Sequence, residues 1–215
     1  GKRILILKNE TNLGISSSLN KAIRHVKTPF FTRQDADDVS SLDRLERLHS
    51  FLEKNTNYDF VSSKMVSLNN KQITFPKKLI IKPTIHDFIY SLPFCNAPTL
   101  FRSNILKRVD SFDNSLNFKK RFEDYEFFFR CYLNNFKGIN LDIVTYLVNQ
   151  NKDYHLKISF SDRLFESMFK YKILKKIKAK WYLFYVIVIP IIKYVISLLL
   201  RFNKLIFFKS EKKST

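Results

Sequence analysis

Cysteine is scarce in this sequence: among 215 residues only Cys95 and Cys131 occur. Two cysteines cannot build a disulfide framework, and their separation fits no common zinc-ligand spacing. We therefore expect two free, buried thiols in a reducing compartment. Residues 1–30 also lack a charged start followed by an apolar run, so no signal peptide is expected there.

Acidic residues are outnumbered two to one, since 38 Lys and Arg face 19 Asp and Glu and leave a net charge of +19. The surplus is concentrated in residues 170–215, which hold 12 basic side chains and one acid, Glu211. Such a concentration favours an anionic surface as partner, either a membrane or nucleic acid. No recognised nucleic-acid motif accompanies the charge. The basic residues also lie beside apolar runs, so we expect no nucleic-acid partner.

The apolar content of 45% is typical of a globular protein and sufficient for a core. A chain of this length can hold one domain of ordinary size and an appendage. β-prone runs alternate with amphipathic helical segments, which indicates an α/β sheet. Strands are predicted near residues 3–7, 30–33, 59–68, 99–101 and 138–148, and helices near 16–28 and 122–134. A capping box of Ser40 and Asp43 predicts another helix, with Leu42, Leu45, Leu48 and Leu52 facing inward.

Three carboxylates, those of Asp35, Asp37 and Asp38, directly follow the β-prone run that ends near Arg33. Successive residues of a strand point to opposite faces, so Asp35 and Asp37 can project to the same side. Two converging carboxylates repel each other unless a cation lies between them, and Mg²⁺ typically takes one or two carboxylates together with substrate phosphates. The sequence therefore predicts a divalent-cation site here. The alternative is an acidic turn before the next helix.

The segment Arg33-Gln34-Asp35-Ala36-Asp37-Asp38, followed by Arg44-Leu45-Glu46, resembles the DxD region of the family 2 glycosyltransferases. Asn12-Leu13-Gly14 upstream and Glu123-Asp124 downstream are similar to other motifs of that family, in the same order. The resemblance covers residues 1–160 and implies the GT-A fold, a mixed α/β sheet flanked by helices. Family members usually begin with a strand, a helix and another strand, so we expect this domain to be truncated at its N-terminus relative to the family.

The resemblance implies which residues would bind a nucleotide-sugar donor. Asp35 would contact the ribose, Asp37 would hold a divalent cation (Mn²⁺ or Mg²⁺) on the diphosphate, and Asp38 would add an indirect contact. Arg33 could reach a phosphate, or it could pair with a neighbouring acid.

A second donor segment would be formed by Asn12, Gly14 and Asn20, close to the nucleotide. Gly14 is expected to adopt a turn conformation that a side chain disfavours. Asn20 could instead be a polar residue on its helix surface. His155 lies where many family members carry a histidine that joins the metal, although an exposed loop histidine is the alternative.

The resemblance also implies the catalytic pair. Glu123-Asp124 is similar to the family's acidic pair, whose aspartate is the catalytic base, so Asp124 would accept the proton of the acceptor hydroxyl. Acids in a first helical turn also stabilise the helix dipole without any catalysis, which is the structural alternative. Asn96 and Thr99 would line the acceptor side of the site.

Residues 161–215 are expected to form a basic, apolar helical appendage that associates with a membrane. Trp181–Leu200 is about as long as a membrane-spanning segment, but Pro190 and Lys193 near its middle argue against a clean crossing. Two segments lying in the membrane interface would fit comparably, and a helical pair packed on protein is the further alternative. Lysines on both sides of the apolar runs favour the membrane.

The leading hypothesis is therefore an inverting, metal-dependent glycosyltransferase at the cytoplasmic face of a membrane. It would transfer sugar from a nucleotide-sugar donor to a saccharide or lipid-linked acceptor, in cell-surface polysaccharide or glycolipid synthesis. The second hypothesis is a non-catalytic, membrane-associated protein that kept the GT-A fold.

Overall fold

The chain forms two compact units, Gly1–Asn149 and Gln150–Thr215. The structure is a computed structural model that describes residues 4–68, 73–75, 78–113, 122–149 and 159–199. The sequence placed a domain boundary between residues 160 and 161, and that assignment stays a prediction.

The first unit is built on a mixed β-sheet with the strand order β1-β5-β3-β6-β2, and β4 pairs with β3. The long central strands β3 and β6 are parallel, whereas the other pairs are antiparallel. The mixed α/β fold expected from the sequence is therefore confirmed. The strands are β1 (Phe30–Thr32), β2 (Val39–Ser40), β3 (Phe60–Ser67), β4 (Ile73–Phe75), β5 (Leu100–Arg102) and β6 (Gly138–Val148).

The helices of this unit flank the sheet and follow the order of the amphipathic segments of the sequence. They are α1 (Ile15–Ile23), α2 (Arg44–Lys54), α3 (Leu106–Val109) and α4 (Glu123–Leu133), with short 3-10 helices at Ile85–Ile89 and Ser103–Ile105. β4 was not predicted, since the basic composition of residues 71–82 indicated a loop.

Two local predictions are wrong. Residues 4–7 form no strand, and Ile4, Leu5 and Ile6 are exposed. Ser40 lies in β2 and makes no capping box, because its hydroxyl donates to Gln34 Oε1 at 2.5 Å instead.

An aromatic cluster forms the core of the first unit. The ring of Phe60 lies 4.9 Å from Phe94, 5.4 Å from Phe101 and 5.2 Å from Phe128, measured between ring centroids. All four rings are essentially inaccessible to solvent. Gly138 is the register partner of Phe60 across the parallel pair, and a Cβ there would overlap the Phe60 ring. A residue without a side chain is therefore needed at this point of β6.

The second unit contains α5 (Phe160–Lys176), a 3-10 helix (Trp181–Ile187) and a helical stretch over 189–199. Ser159 caps α5 through a capping box with Asp162. Lys170 is buried and its Nζ lies 3.9 Å from Glu166 Oε1. Within the part of the chain that the structure describes, no helix has both the length and the apolar character needed to cross a membrane.

We expect Gly138→Ala to destabilise the first unit by about 3 kcal/mol, because the added methyl group overpacks a core in which Phe60 has no space to move. Urea unfolding followed by circular dichroism measures the change. Val144→Ala on the same strand, at a half-exposed position, is the control and should change the free energy of unfolding by less than about 1 kcal/mol. Equal effects of the two variants would contradict the packing argument.

Candidate active site

The sheet topology brings the acidic segment Arg33–Asp38 next to the loop Cys95–Thr99. β1 and β5 are antiparallel, and Thr32 at the end of β1 pairs with Leu100 at the start of β5. The segment after β1 therefore lies beside the loop before β5. The hydroxyl of Thr32 donates to the carbonyl of Thr99 at 2.6 Å and joins the two segments directly.

Within the acidic segment, each aspartate has a different environment. Asp35 is half-buried, and its carboxylate accepts a hydrogen bond from Arg33 Nε at 2.5 Å. Asp38 Oδ1 accepts from the backbone N–H of Asn149 at 2.8 Å. Asp37 is exposed at the tip of the segment. Arg33 thus pairs with a neighbouring acid, which was one of its two predicted roles.

The second acidic group, Glu123-Asp124, lies at the first turn of α4. Phe122, immediately before it, has φ 67°, a left-handed conformation that is unusual for a bulky residue and marks local strain. Asp124 Oδ1 accepts a hydrogen bond from the N–H of Tyr125 at 2.8 Å. The helix begins with three acids in its first turn, which suits the positive end of the helix dipole.

The two acidic groups share one electrostatic environment. Burial raises the pKa of Asp124, and the N–H of Tyr125 and the Arg33 guanidinium oppose this rise. Burial raises the pKa of Glu123 to about 6; the Asp124 charge adds to the rise, Arg33 opposes it and Asp35 adds further. Arg33 is therefore close enough to act on both carboxyls of α4 while it pairs with Asp35. Arg33 thus links the two acidic groups electrostatically.

The segment before α1 that was predicted to lie near the nucleotide contains a tight turn at Gly14. Gly14 has φ 82° and ψ 169°, a region essentially confined to glycine, and it precedes the first helical residue, Ile15. The expected turn conformation of Gly14 is confirmed. Asn12 Oδ1 accepts from the N–H of Gly14 at 3.0 Å and shapes this turn.

Asn20 is buried, and its amide is bonded on both sides to the backbone of Phe112. Its Nδ2 donates to the carbonyl of Phe112 and its Oδ1 accepts from the N–H of the same residue, both at 2.7 Å. This pair anchors the loop after α3 to α1, which is a structural role. Contact of Asn20 or Asn12 with a nucleotide stays a prediction.

Asn96 and Thr99, the two polar residues predicted to line the acceptor side, are both buried. Thr99 is completely buried, and its hydroxyl donates to the carbonyl of Cys95. Asn96 is also buried, and its Nδ2 has no hydrogen-bond partner among the described residues. Cys95 is a half-buried free thiol, and Cys131 is a buried one. Contacts of Asn96 and Thr99 with an acceptor stay predictions.

A metal site is not formed by protein ligands alone in the part of the chain that the structure describes. Among those residues no group of three or more His, Cys, Asp and Glu side chains is arranged to hold a metal ion. His155, predicted as a metal ligand, lies outside the described residues. Asp35 and Asp37 still fit a hard cation that takes one or two carboxylates and completes its shell with phosphate and water oxygens.

The sequence assigned no function to Gln34, Arg44 or Tyr146, which surround the acidic segment. Arg44 is buried, and its guanidinium carbon lies 5.1 Å from the centre of the Tyr146 ring. The Tyr146 hydroxyl accepts from the N–H of Asp35 at 3.1 Å. A signal for Arg44 was available: it lies four and eight residues before Leu48 and Leu52, on the same buried stripe of α2.

Comparison with known proteins gives consistent matches over this region. The model of the family Glycosyl transferase family 2 matches residues 1–125. The glycosyltransferase EpsE of Bacillus subtilis is 27% identical over 176 residues, which are 82% of this chain and 63% of EpsE. The uncharacterized glycosyltransferase MJ1057 of Methanocaldococcus jannaschii is 30% identical over 140 residues, which are 63% of this chain and 47% of MJ1057.

Solved structures of TarS from S. aureus share the fold. TarS residues 1–349 match with a TM-score of 0.54 at 24% identity, over 77% of this chain and 51% of that chain. The same TarS fragment in complex with UDP-GlcNAc gives 0.57 at 21% identity, over 75% of this chain and 47% of that chain. This chain therefore spans less than two thirds of the length of each relative compared.

We expect Glu123→Gln to stabilise the protein at pH 8 but not at pH 4.5. The folded-state pKa of about 6 lies above the ordinary value of 4.5. The protonated form is thus favoured by folding, and stability is lost as the pH rises through this window. The neutral amide removes that cost, which we place at about 1 kcal/mol because the carboxyl is only partly buried.

Urea unfolding at the two pH values measures the difference for Glu123→Gln. Glu46→Gln, on an exposed face of α2, is the matched control and should leave the pH dependence unchanged. A pH profile for Glu123→Gln that runs parallel to that of the unmodified protein would contradict the assignment of the raised pKa to Glu123.

Proposed function

The chain belongs to glycosyl transferase family 2, and on that premise we propose that it transfers a sugar from a nucleotide-sugar donor to an acceptor hydroxyl. The observation that carries the proposal is the shared environment of two acidic groups, one after β1 and one at the start of α4. Arg33 pairs with Asp35 in the first group and acts on Glu123 and Asp124 in the second. In this proposal the first group belongs to the donor site and the second group supplies the proton acceptor.

The donor would be bound by the acidic segment with a divalent cation, Mn²⁺ or Mg²⁺. In this proposal Asp35 contacts the ribose, Asp37 holds the cation, and Asp38 supports the segment through its bond to the N–H of Asn149. Exposure of Asp37 supports its role, since a ligand can reach the carboxylate from solvent. The cation, when bound, neutralises the charge of the departing nucleoside diphosphate. A nucleotide sugar is also the ligand in the TarS complex with UDP-GlcNAc.

The proton acceptor in the reaction would be Asp124. It would take the proton of the acceptor hydroxyl while that oxygen attacks the anomeric carbon from the side opposite the leaving group, which inverts the configuration. A raised pKa makes the Asp124 carboxylate a stronger base, and this suits proton abstraction near neutral pH. The N–H of Tyr125 and the Arg33 guanidinium oppose this rise in the pKa of Asp124.

In this proposal the protein binds its acceptor at a membrane surface. The second unit carries an apolar stripe of half-exposed side chains with helical spacing, formed by Val188, Ile192, Val195, Ile196 and Leu199. Trp181 and Tyr185 are exposed just before this stripe. Lysines 175, 176, 178 and 180 precede the stripe, and each such group gains about 1 kcal/mol near an anionic leaflet. This combination supports an interfacial helix on the cytoplasmic side of a membrane and a saccharide or lipid-linked acceptor, in surface polysaccharide or glycolipid synthesis.

The second candidate function is a membrane-associated protein that keeps the fold without catalysis. The burial of Asn96 and Thr99 favours it, because little of either side chain is exposed to an acceptor. Binding of UDP and GDP with and without Mn²⁺ separates the two candidates. A glycosyltransferase should bind one of these nucleotides more tightly with Mn²⁺ than without, because the metal would bridge carboxylates and phosphates.

The activity test compares Asp37→Ala and Asp124→Asn with the unmodified protein in the release of nucleoside diphosphate from UDP- and GDP-sugars. We expect Asp124→Asn to lower the rate about 10²-fold or more, because the amide cannot accept the proton. Asp37→Ala should abolish the Mn²⁺ dependence of nucleotide binding, and chelation of the metal should have the same effect in the unmodified protein.

Glu46→Gln is the control for both variants, since its exposed carboxylate lies outside the site. Circular dichroism and thermal unfolding must show that all three proteins are folded. Full activity of Asp37→Ala or Asp124→Asn would refute the roles assigned to these residues.

The membrane test replaces Val188, Ile192 and Val195 together by Ser and measures co-sedimentation with vesicles. We expect binding to vesicles of phosphatidylcholine and phosphatidylglycerol to weaken about 10-fold or more, because three apolar contacts with the interface are lost. Leu42→Ser, an exposed apolar residue of the first unit, is the control. Equal binding of both variants, or binding that ignores the anionic lipid, would contradict the proposed surface.

A further inference from the structure

The acidic segment Arg33–Asp38 connects the two strands at opposite edges of the main sheet path. β1 and β2 are the terminal strands in the order β1-β5-β3-β6-β2. Four steps between neighbouring strands on a flat sheet amount to about 19 Å. The chain from Thr32 to Val39 could reach about 23 Å only when fully extended. The segment contains a turn, with Asp38 N–H bonded to the carbonyl of Asp35 at 3.3 Å, so the sheet edges must curl towards each other.

Gln34 holds the backbone of this segment with its side-chain amide. Its Nε2 donates to the carbonyls of Asp35 at 3.0 Å and Asp38 at 3.1 Å, on both sides of the exposed Asp37. Its Oε1 accepts from Ser40 Oγ at 2.5 Å and from Arg44 Nη1 at 3.0 Å. The side chain is exposed as a whole, yet both ends of its amide are bonded.

Arg44 ties the segment to both sheet edges and to the neighbouring loop. Its Nη1 donates to Ser40 Oγ on β2 at 2.7 Å, and its Nη2 donates to Thr32 Oγ1 on β1 at 2.6 Å. Nη2 also bonds the carbonyls of Arg33, at 2.9 Å, and of Ala97. One guanidinium therefore contacts β1, β2 and the loop Cys95–Thr99, which shows how closely the edges approach here.

The charge of Arg44 is buried without an ion pair among the described residues. Only 2% of its surface is exposed, and its contacts there are neutral oxygens and the face of Tyr146. Burial lowers the pKa of Arg44, while Tyr146, Cys95 and Asp35 oppose the change. An arginine nevertheless stays charged in proteins. Such a buried charge costs free energy that a purely structural contact could avoid with an apolar side chain.

We propose that Gln34 and Arg44 are positioning residues, which hold Asp35 and Asp37 in the orientation that binds the metal and nucleotide and couple this orientation to the loop Cys95–Thr99. The inference rests on the proposed function. Neither side chain needs to touch the substrate. Their effect is to fix the carbonyls on both sides of Asp37, so that the carboxylates are preorganised before the donor arrives.

The experiment uses Gln34→Met, Gln34→Glu and Arg44→Lys in the full chain. Gln34→Met removes the hydrogen bonds of the side-chain amide without adding charge. Gln34→Glu keeps an oxygen that can accept from Ser40 and Arg44 but has no N–H to donate. Arg44→Lys keeps the charge but loses the planar fork that reaches three segments at once. Arg47→Lys is the matched control, because Arg47 lies one turn away from Asp43 on the surface of α2 and pairs with it.

Two readouts are measured for each variant: UDP and GDP affinity in the presence of Mn²⁺, and hydrogen exchange of the backbone amides of residues 33–40. We expect Gln34→Met and Arg44→Lys to weaken nucleotide binding about 10- to 100-fold, as loss of a supporting contact to a ligand-bearing group does. Exchange of these amides should accelerate by a similar factor, while α4 and β6 remain protected. Gln34→Glu should not rescue the affinity, because the donors to Asp35 and Asp38 stay missing.

The outcomes separate this inference from the proposed function. If the variants bind nucleotide within twofold of Arg47→Lys, or if exchange of residues 33–40 is unchanged, the positioning role is overturned. If the unmodified protein binds neither nucleotide with Mn²⁺, the proposed function itself fails. Because Gln34 lies on the surface, Gln34→Met gives a decisive result even if Arg44→Lys does not fold.

Discussion

The buried guanidinium of Arg44 is the contact on which both the curled sheet and the site depend. The two strands that flank the acidic segment lie at opposite edges of the sheet path, so their ends must lie close together for the short segment to join them. Arg44 bonds a hydroxyl on each of them, Thr32 Oγ1 and Ser40 Oγ. A planar group with five donors can satisfy acceptors from three segments at once. The same guanidinium that joins the two edges also bonds the carbonyl of Arg33, at the start of the acidic segment.

The candidate site is rich in acidic side chains, although the protein as a whole is strongly basic. The chain carries a net charge of +19, yet the pKa of Glu123 is raised by the nearby charges of Asp124 and Asp35, while Arg33 opposes the rise at both Glu123 and Asp124. Burial raises the pKa of both carboxyls at the start of α4. Separated sequence positions therefore contribute to one acidic centre, in which burial raises the pKa of Glu123 and Asp124 and Arg33 opposes the rise.

The elements predicted from the sequence agree best with the structure where a single local pattern of residues is enough to define the element. The strands at 60–67 and 138–148 and the helix at 123–133 were predicted close to their observed bounds, because strong β-prone or amphipathic runs define them. The turn at Gly14 was predicted from the backbone freedom of glycine, and its φ of 82° agrees. The inner face of α2 was predicted less well: Leu48 and Leu52 are buried, but Leu42 and Leu45 are exposed, and Arg44 takes the inner position. A hydrophobic scale cannot anticipate an arginine that is buried because acceptors from three other segments converge on it.

The sequence by itself determined the family motifs, their order along the chain, the α/β class and the acidic residues to which the proposal assigns the chemistry. It did so because these depend on residue types and on spacing within single strands and helices. Only the tertiary structure decided that Asn20 anchors Phe112, that Thr99 is buried against Cys95, and that Gln34, Arg44 and Tyr146 surround the acidic segment. Each of these is a contact between residues far apart in the chain or a choice among several available partners. Such contacts depend on which strands become neighbours in the sheet, and strand order is a property of the whole fold that no local stretch of sequence contains.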